Sequence, residues 1–109
     1  MPYKPNAANK TKTYNDVVAE AVDETLDHIF KREGKTVIYK FLEKHAKLKP
    51  TQIADKPELL SKNMQKLMSS ATQMIEQTIL KNLHRKKGIE FEEKNDYKFS
   101  DYIEERKGK

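Results

Sequence analysis

The sequence predicts a mainly α fold: a compact bundle of four or five helices with a small C-terminal β-hairpin. Three observations lead there. Apolar residues recur at three- and four-residue spacing through most of the chain, separated by capping and stop residues. Two-residue alternation is confined to the end, where Ile89 and Phe91 alternate with Glu90 and Glu92. The chain is 109 residues long, 36% hydrophobic and 36% charged, which allows one small core and no second.

Residues 1–13 hold prolines, asparagines and lysines with almost nothing apolar. They are expected to form a disordered basic tail ahead of a single helical domain at 14–109. Asn15 is the expected N-cap of a first helix running to Arg32, with Asp16, Glu20, Asp23 and Glu24 near its start to suit the helix dipole. Val18, Ala21, Val22, Thr25, Leu26, Ile29 and Phe30 mark its buried face, and Gly34 is the expected stop. A second helix is expected from Lys35 to His45. TVIYKF alone suits a strand, but Leu42 follows Ile38 by four residues and continues a helical stripe. Pro50 breaks the pattern, and Asp55 with Pro57 starts the next helix, which carries Leu59, Leu60, Met64, Leu67 and Met68. Ser69-Ser70 is a bend or a cap. Ala71, Met74, Ile75, Thr78, Ile79 and Leu83 then form the clearest stripe, ended by His84-Arg85-Lys86-Lys87-Gly88. IEFEE and Tyr97 with Phe99, turning at Asn95-Asp96, make the expected hairpin, and Ser100 caps a last short helix with Tyr102 and Ile103.

The chemistry of the side chains argues against an enzyme. The chain has no cysteine, which excludes disulfides, thiolate catalysis and Cys-based zinc sites. Gly34-Lys35-Thr36 matches the end of a phosphate loop, but the glycine needed five residues earlier is Ile29. His28, His45 and His84 fall on different expected helices and form no HxxxH pair. Ser61, Ser69, Ser70 and Ser100 lack a nucleophile-elbow context. Glu90, Glu92, Glu93, Glu104 and Glu105 sit among lysines as an exposed face. The reading is no catalytic residue, no metal site and no cofactor. No apolar run approaches the length of about 18 residues that suggests a membrane span. The N-terminus also lacks the apolar stretch of a secretory signal. A cytoplasmic protein with no membrane partner is expected.

Two surfaces remain for binding. The net charge is +5, and the basic residues cluster. Lys81, Arg85, Lys86 and Lys87 at the end of the long stripe join Lys4, Lys10 and Lys12 of the tail as a footprint for phosphate, with Tyr3 and Phe91 available for stacking. The same basic turn also stabilises a helix end with no ligand at all. Leu67, Met68, Met74 and Ile75 form a soft methionine-rich stripe, read either as core filling or as a contact surface for a protein partner or a homodimer.

The stretches VIYKFLEKH, IADKPELLSKNMQKLM, ATQMIEQTILKNLHRK and FEEKNDYKFSDYIEE, about two-thirds of the chain, carry a family resemblance. In their order the chain resembles the small Nitrosopumilus output domains of archaeal signalling proteins. Members show an aliphatic–Tyr–x–x–Leu stretch, a proline-started helix, a long Leu/Ile-rich helix and a Phe/Tyr-rich end. Their Phe-Gly step between the last two helices is replaced here by Met68-Ser69-Ser70. The resemblance implies an archaeal, non-catalytic output or regulatory module in signal transduction and supplies no ligand or catalytic residues. The leading expectation is therefore a regulatory module acting through protein contact. The alternative is a small nucleic-acid- or ribosome-associated protein.

Overall fold

The computed structural model describes residues 12–107. Tyr3, Lys4, Lys10 and the rest of the expected tail up to residue 11 lie outside the described residues, as do 108 and 109. Helix α1 (Tyr14–Ala46) is capped by Thr13, two residues before the expected cap Asn15. Thr13 Oγ1 accepts from the Asp16 amide at 3.1 Å, and the Asp16 carboxylate accepts from the Thr13 amide at 3.2 Å, a reciprocal capping box. Asn15 is freed for another task. Its side-chain amide donates to the Thr51 carbonyl at 3.1 Å and to Asp55 Oδ2 at 2.9 Å, tying α1 to the loop after it.

The 33 residues of α1 do not form one straight rod. Lys31 has φ 63° and ψ −180°, a conformation that is essentially glycine's own. Asp23 accepts from Lys35 at 3.1 Å and from the Tyr39 hydroxyl at 3.0 Å, across separations of 12 and 16 residues. A straight helix would hold those positions roughly 18 and 24 Å apart at about 1.5 Å per residue. The chain therefore folds back at Lys31, and limbs 14–30 and 32–46 form a helical hairpin. The expected stop at Gly34 is displaced to this reversal. Gly34 has a different role, because a Cβ there would lie 2.6 Å from Phe30 Cβ. The limbs fall where the first two helices were expected, Asn15–Arg32 and Lys35–His45, but they join at Lys31 with no loop between them, so three longer helical elements carry most of the fold.

A 3-10 turn at Pro50–Gln52 follows, and Ile53 and Ala54 behind it are fully buried. Helix α2 (Pro57–Met68) starts with Pro57 in its first turn. Lys56 and not Asp55 occupies the N-cap position, without a side-chain capping bond, and Asp55 is engaged by Asn15 and Lys107. A second 3-10 turn at Ser69–Ala71 leads to helix α3 (Thr72–Lys86). Thr72 Oγ1 donates to the Met64 carbonyl at 3.0 Å in the interior and fixes the angle between α2 and α3. Gly88 at φ 69° ends α3 as expected, with the Ile89 amide reaching back to the His84 carbonyl at 2.9 Å. Helix α4 (Phe99–Arg106) closes the chain.

The expected hairpin is absent: residues 89–98 contain no strand. The alternation there has another cause. Phe91 turns inward, its ring 5.1 Å from His84 and 5.5 Å from Tyr102, and no neighbouring strand offers a ladder. The Tyr102 hydroxyl instead accepts from the Lys94 amide at 2.7 Å and donates to the Lys94 carbonyl at 3.2 Å. One side chain supplies what a partner strand would have supplied.

Candidate functional site: a basic cleft between α1 and α3

Helix α3 packs its stripe of Ile75, Ile79 and Leu83 into the core beside Val18, Val22 and Leu26 of α1. With the stripe turned inward, the residues on its flanks border the seam with α1. Lys81 and Arg85 are four apart and share one helix face; Asn82 and Lys86 share the next.

These basic residues divide into two groups. Lys86 reaches across the seam to Glu24 at 2.9 Å and to Glu20 at 3.5 Å. Lys12 pairs with Glu20 at 2.7 Å, and the Lys87 ammonium lies 5.2 Å from the Tyr14 ring centroid. The hydrogen bond from Lys86 is the main cause holding the Glu24 carboxyl below its usual range and the Lys86 ammonium above its own. The hydrogen bond from Lys12 does the same for Glu20. Three of the lysines expected to face phosphate are therefore occupied inside the fold. Lys81 and Arg85 are exposed, and among the described residues neither has a carboxylate within ion-pair distance.

Lys81 and Arg85 line a cleft of about 420 Å³ with Thr25 and His28 of α1 and Asn82 of α3. Glu24 also lines it, but its carboxylate is engaged by Lys86 and by the Asn82 amide at 3.1 Å. Asn82 donates to the Ala21 carbonyl as well, at 3.3 Å. That contact affects Thr25, whose preceding-turn carbonyl is Ala21. Thr36 and Thr78 each donate to the carbonyl four residues back, both at 2.9 Å. Thr25 does not. It is 3% exposed, and its hydroxyl is the unpartnered buried side-chain polar atom among the described residues.

The expected protein-contact residues are spread between core and surface. Ile75 is 1% exposed and belongs to the core, because its stripe faces α1. Leu67 and Met68 are half-buried at the end of α2, and Met74 is 56% exposed in the first turn of α3. Phe91 is half-buried, with its ring 5.1 Å from His84 and 5.5 Å from Tyr102. Among the histidines, His28 and His45 are exposed, whereas His84 is buried. His84 Nδ1 lies 2.8 Å from the Leu80 carbonyl and Nε2 accepts from Arg106 Nε at 3.2 Å, which fixes a neutral ring protonated at Nδ1. Among the described residues no group of three His, Asp or Glu side chains converges as a metal site, and no helix is long and apolar enough to cross a membrane.

Thr25, His28 and Asn82 were not singled out by sequence reasoning as cleft residues. Thr25 sits in an apolar stripe and reads as core, and His28 belongs to a different element. The one available signal was Asn82, a polar residue beside the buried stripe of α3. Comparison with protein-family models, curated proteins and solved structures gives no match.

Proposed function

We propose that this chain is a non-enzymatic regulatory module acting through protein–protein contact, with a second copy of itself as the first partner to test. The supporting observation is an exposed methionine, Met74, in the first turn of α3, just after the Ser69–Ala71 turn. Met74 is 56% exposed, and the Ser69–Ala71 turn separates its helix from the half-buried Leu67 and Met68 at the end of α2. Methionine suits a surface that must adapt to a partner, because its side chain is flexible and polarizable. An archaeal signalling role of the kind implied by the resemblance to Nitrosopumilus output domains fits this reading. The test is analytical ultracentrifugation across concentration, with wild type and Met74→Asp. Reversible dimerisation weakened by the substitution is expected. A strict monomer at high concentration, unchanged by Met74→Asp, overturns the homodimer.

A second reading is favoured by Lys81 and Arg85: phosphate contacts in a nucleic-acid- or ribosome-associated protein. Its footprint within the described residues is small, since Lys12, Lys86 and Lys87 have partners of their own. A salt-dependence slope of about 0.9 per neutralised duplex phosphate would then stay below about 2 for these two residues.

A further inference from the structure

We propose that the cleft between α1 and α3 is a binding site for a small ligand carrying a phosphate group, held by Lys81, Arg85 and the hydroxyl of Thr25. The inference stands independently of the dimer reading. It begins with two local costs in one place. Like charges four apart on a helix destabilise it, and Lys81 and Arg85 are such a pair with no carboxylate within ion-pair distance among the described residues. A buried hydroxyl without a partner is costly as well, and Thr25 contributes to the lining of the same cleft. An anion between the two cations would relieve the first cost, and relief of the second requires the buried Thr25 hydroxyl to turn about χ1 toward the cleft.

The donor set favours phosphate over a simple halide. The Arg85 guanidinium offers a planar fork that matches two oxygens of a phosphate, and Lys81 adds a point charge. His28 on the facing limb adds a ring nitrogen to the rim. The one acidic residue lining the cleft, Glu24, is ion-paired with Lys86 and accepts from the Asn82 amide, which weakens its repulsion of the ligand. A volume of about 420 Å³ lies within the usual range of about 300–1,000 Å³ for small-molecule sites.

The experiment is an amide NMR titration of the full chain with inorganic phosphate, against sodium chloride at matched ionic strength. Saturable shifts at Thr25, Asn82, Lys81 and Arg85 are expected with phosphate and not with chloride. A parallel titration with glycerol phosphate separates the sources: tighter binding than inorganic phosphate assigns the site to a phosphorylated small molecule, and equal binding to the free ion. Lys81→Ala/Arg85→Ala should abolish the shifts, and Thr25→Val should weaken binding roughly fivefold. Thr25→Val should also raise the melting temperature without phosphate, because it removes the orphan hydroxyl, and this shows that the variant is folded. Shifts no larger than with chloride, or unchanged in the double variant, overturn the proposal. So does a Thr25→Val protein that melts lower without ligand. An RNA oligonucleotide that shifts these amides when phosphate does not would transfer the residues to the nucleic-acid reading.

Discussion

Across the seam between α1 and α3, Val18, Ala21, Val22 and Leu26 share one cluster with Ile75, Ile79 and Leu83, none more than 1% exposed. Residues 89–107 add Phe99, Tyr102 and Ile103 to that cluster and are also held by directional contacts. The Tyr14 hydroxyl donates to the Ile103 carbonyl at 2.7 Å, Tyr102 holds both backbone groups of Lys94, Arg106 donates to His84, and Lys94 pairs with Glu105 at 2.7 Å. Aliphatic burial has no preferred direction and is insensitive to protonation. The C-terminal strap buries Phe99, Tyr102 and Ile103 in that same cluster and adds to this burial hydrogen bonds that have both. One region resists changes of solution conditions, and the other can respond to them.

The largest expected effect breaks the seam. Leu83→Ala removes a fully buried side chain, so unfolding in urea should show a loss of about 2–5 kcal/mol. A loss below about 1 kcal/mol would mean that the seam is not the main core.

Acidification should sharpen the contrast by loosening the strap first. Burial pulls the His84 pKa below its ordinary 6.5. Above about pH 6.5 the ring is neutral in both folded and unfolded chains, and its contribution to stability is whole. As the pH falls below that value the unfolded chain takes up the proton first, so stability is lost. A proton on Nε2 would also face the Arg106 guanidinium in place of accepting from it. The urea midpoint should fall more steeply between pH 7 and 5 in wild type than in His84→Gln. Parallel curves would show that this ring does not link the strap to pH.

The smallest effect is at the rim of the seam. Lys86→Ala removes ion pairs to Glu24 and Glu20, both well exposed, and should cost only about 0.5 kcal/mol in a thermal melt. A cost of several kcal/mol would make the seam as dependent on charge as the strap.

The same division decides what the sequence made legible. The stripes of α1 and α3 are repeated apolar residues, and Gly88 punctuates α3, so burial and helix end were both readable. The reversal was expected at Gly34 because glycine is the usual residue for positive φ, yet Lys31 adopts it, and Asp23 accepts from Lys35 and Tyr39 across the turn. Alternation at 89–92 has the strand period, but a period does not reveal whether a second strand is present, and Tyr102 took that place. In the candidate site, Lys81 and Arg85 were legible as charge. The pairing of Lys86 with α1 and the orphaned Thr25 hydroxyl arise from residues about 60 positions apart, as the 62-residue separation of Lys86 and Glu24 illustrates.

The fold-back at Lys31 also bears on the order in which the molecule assembles. Its limbs meet through contacts 12 and 16 residues apart, whereas the Tyr14 bond to Ile103 closes a span of 89 residues. Closing a longer loop costs more chain entropy, so the local hairpin is favoured as an early event and the circuit from Tyr14 to α4 as a late one. Tyr14→Phe should then speed unfolding while leaving the refolding rate nearly unchanged, and stopped-flow chevrons that slow in the refolding arm would reverse that order. A chain that ties its two ends together last is also the first to release them, which makes the junction of Tyr14 with α4 the place where native-state hydrogen exchange should begin.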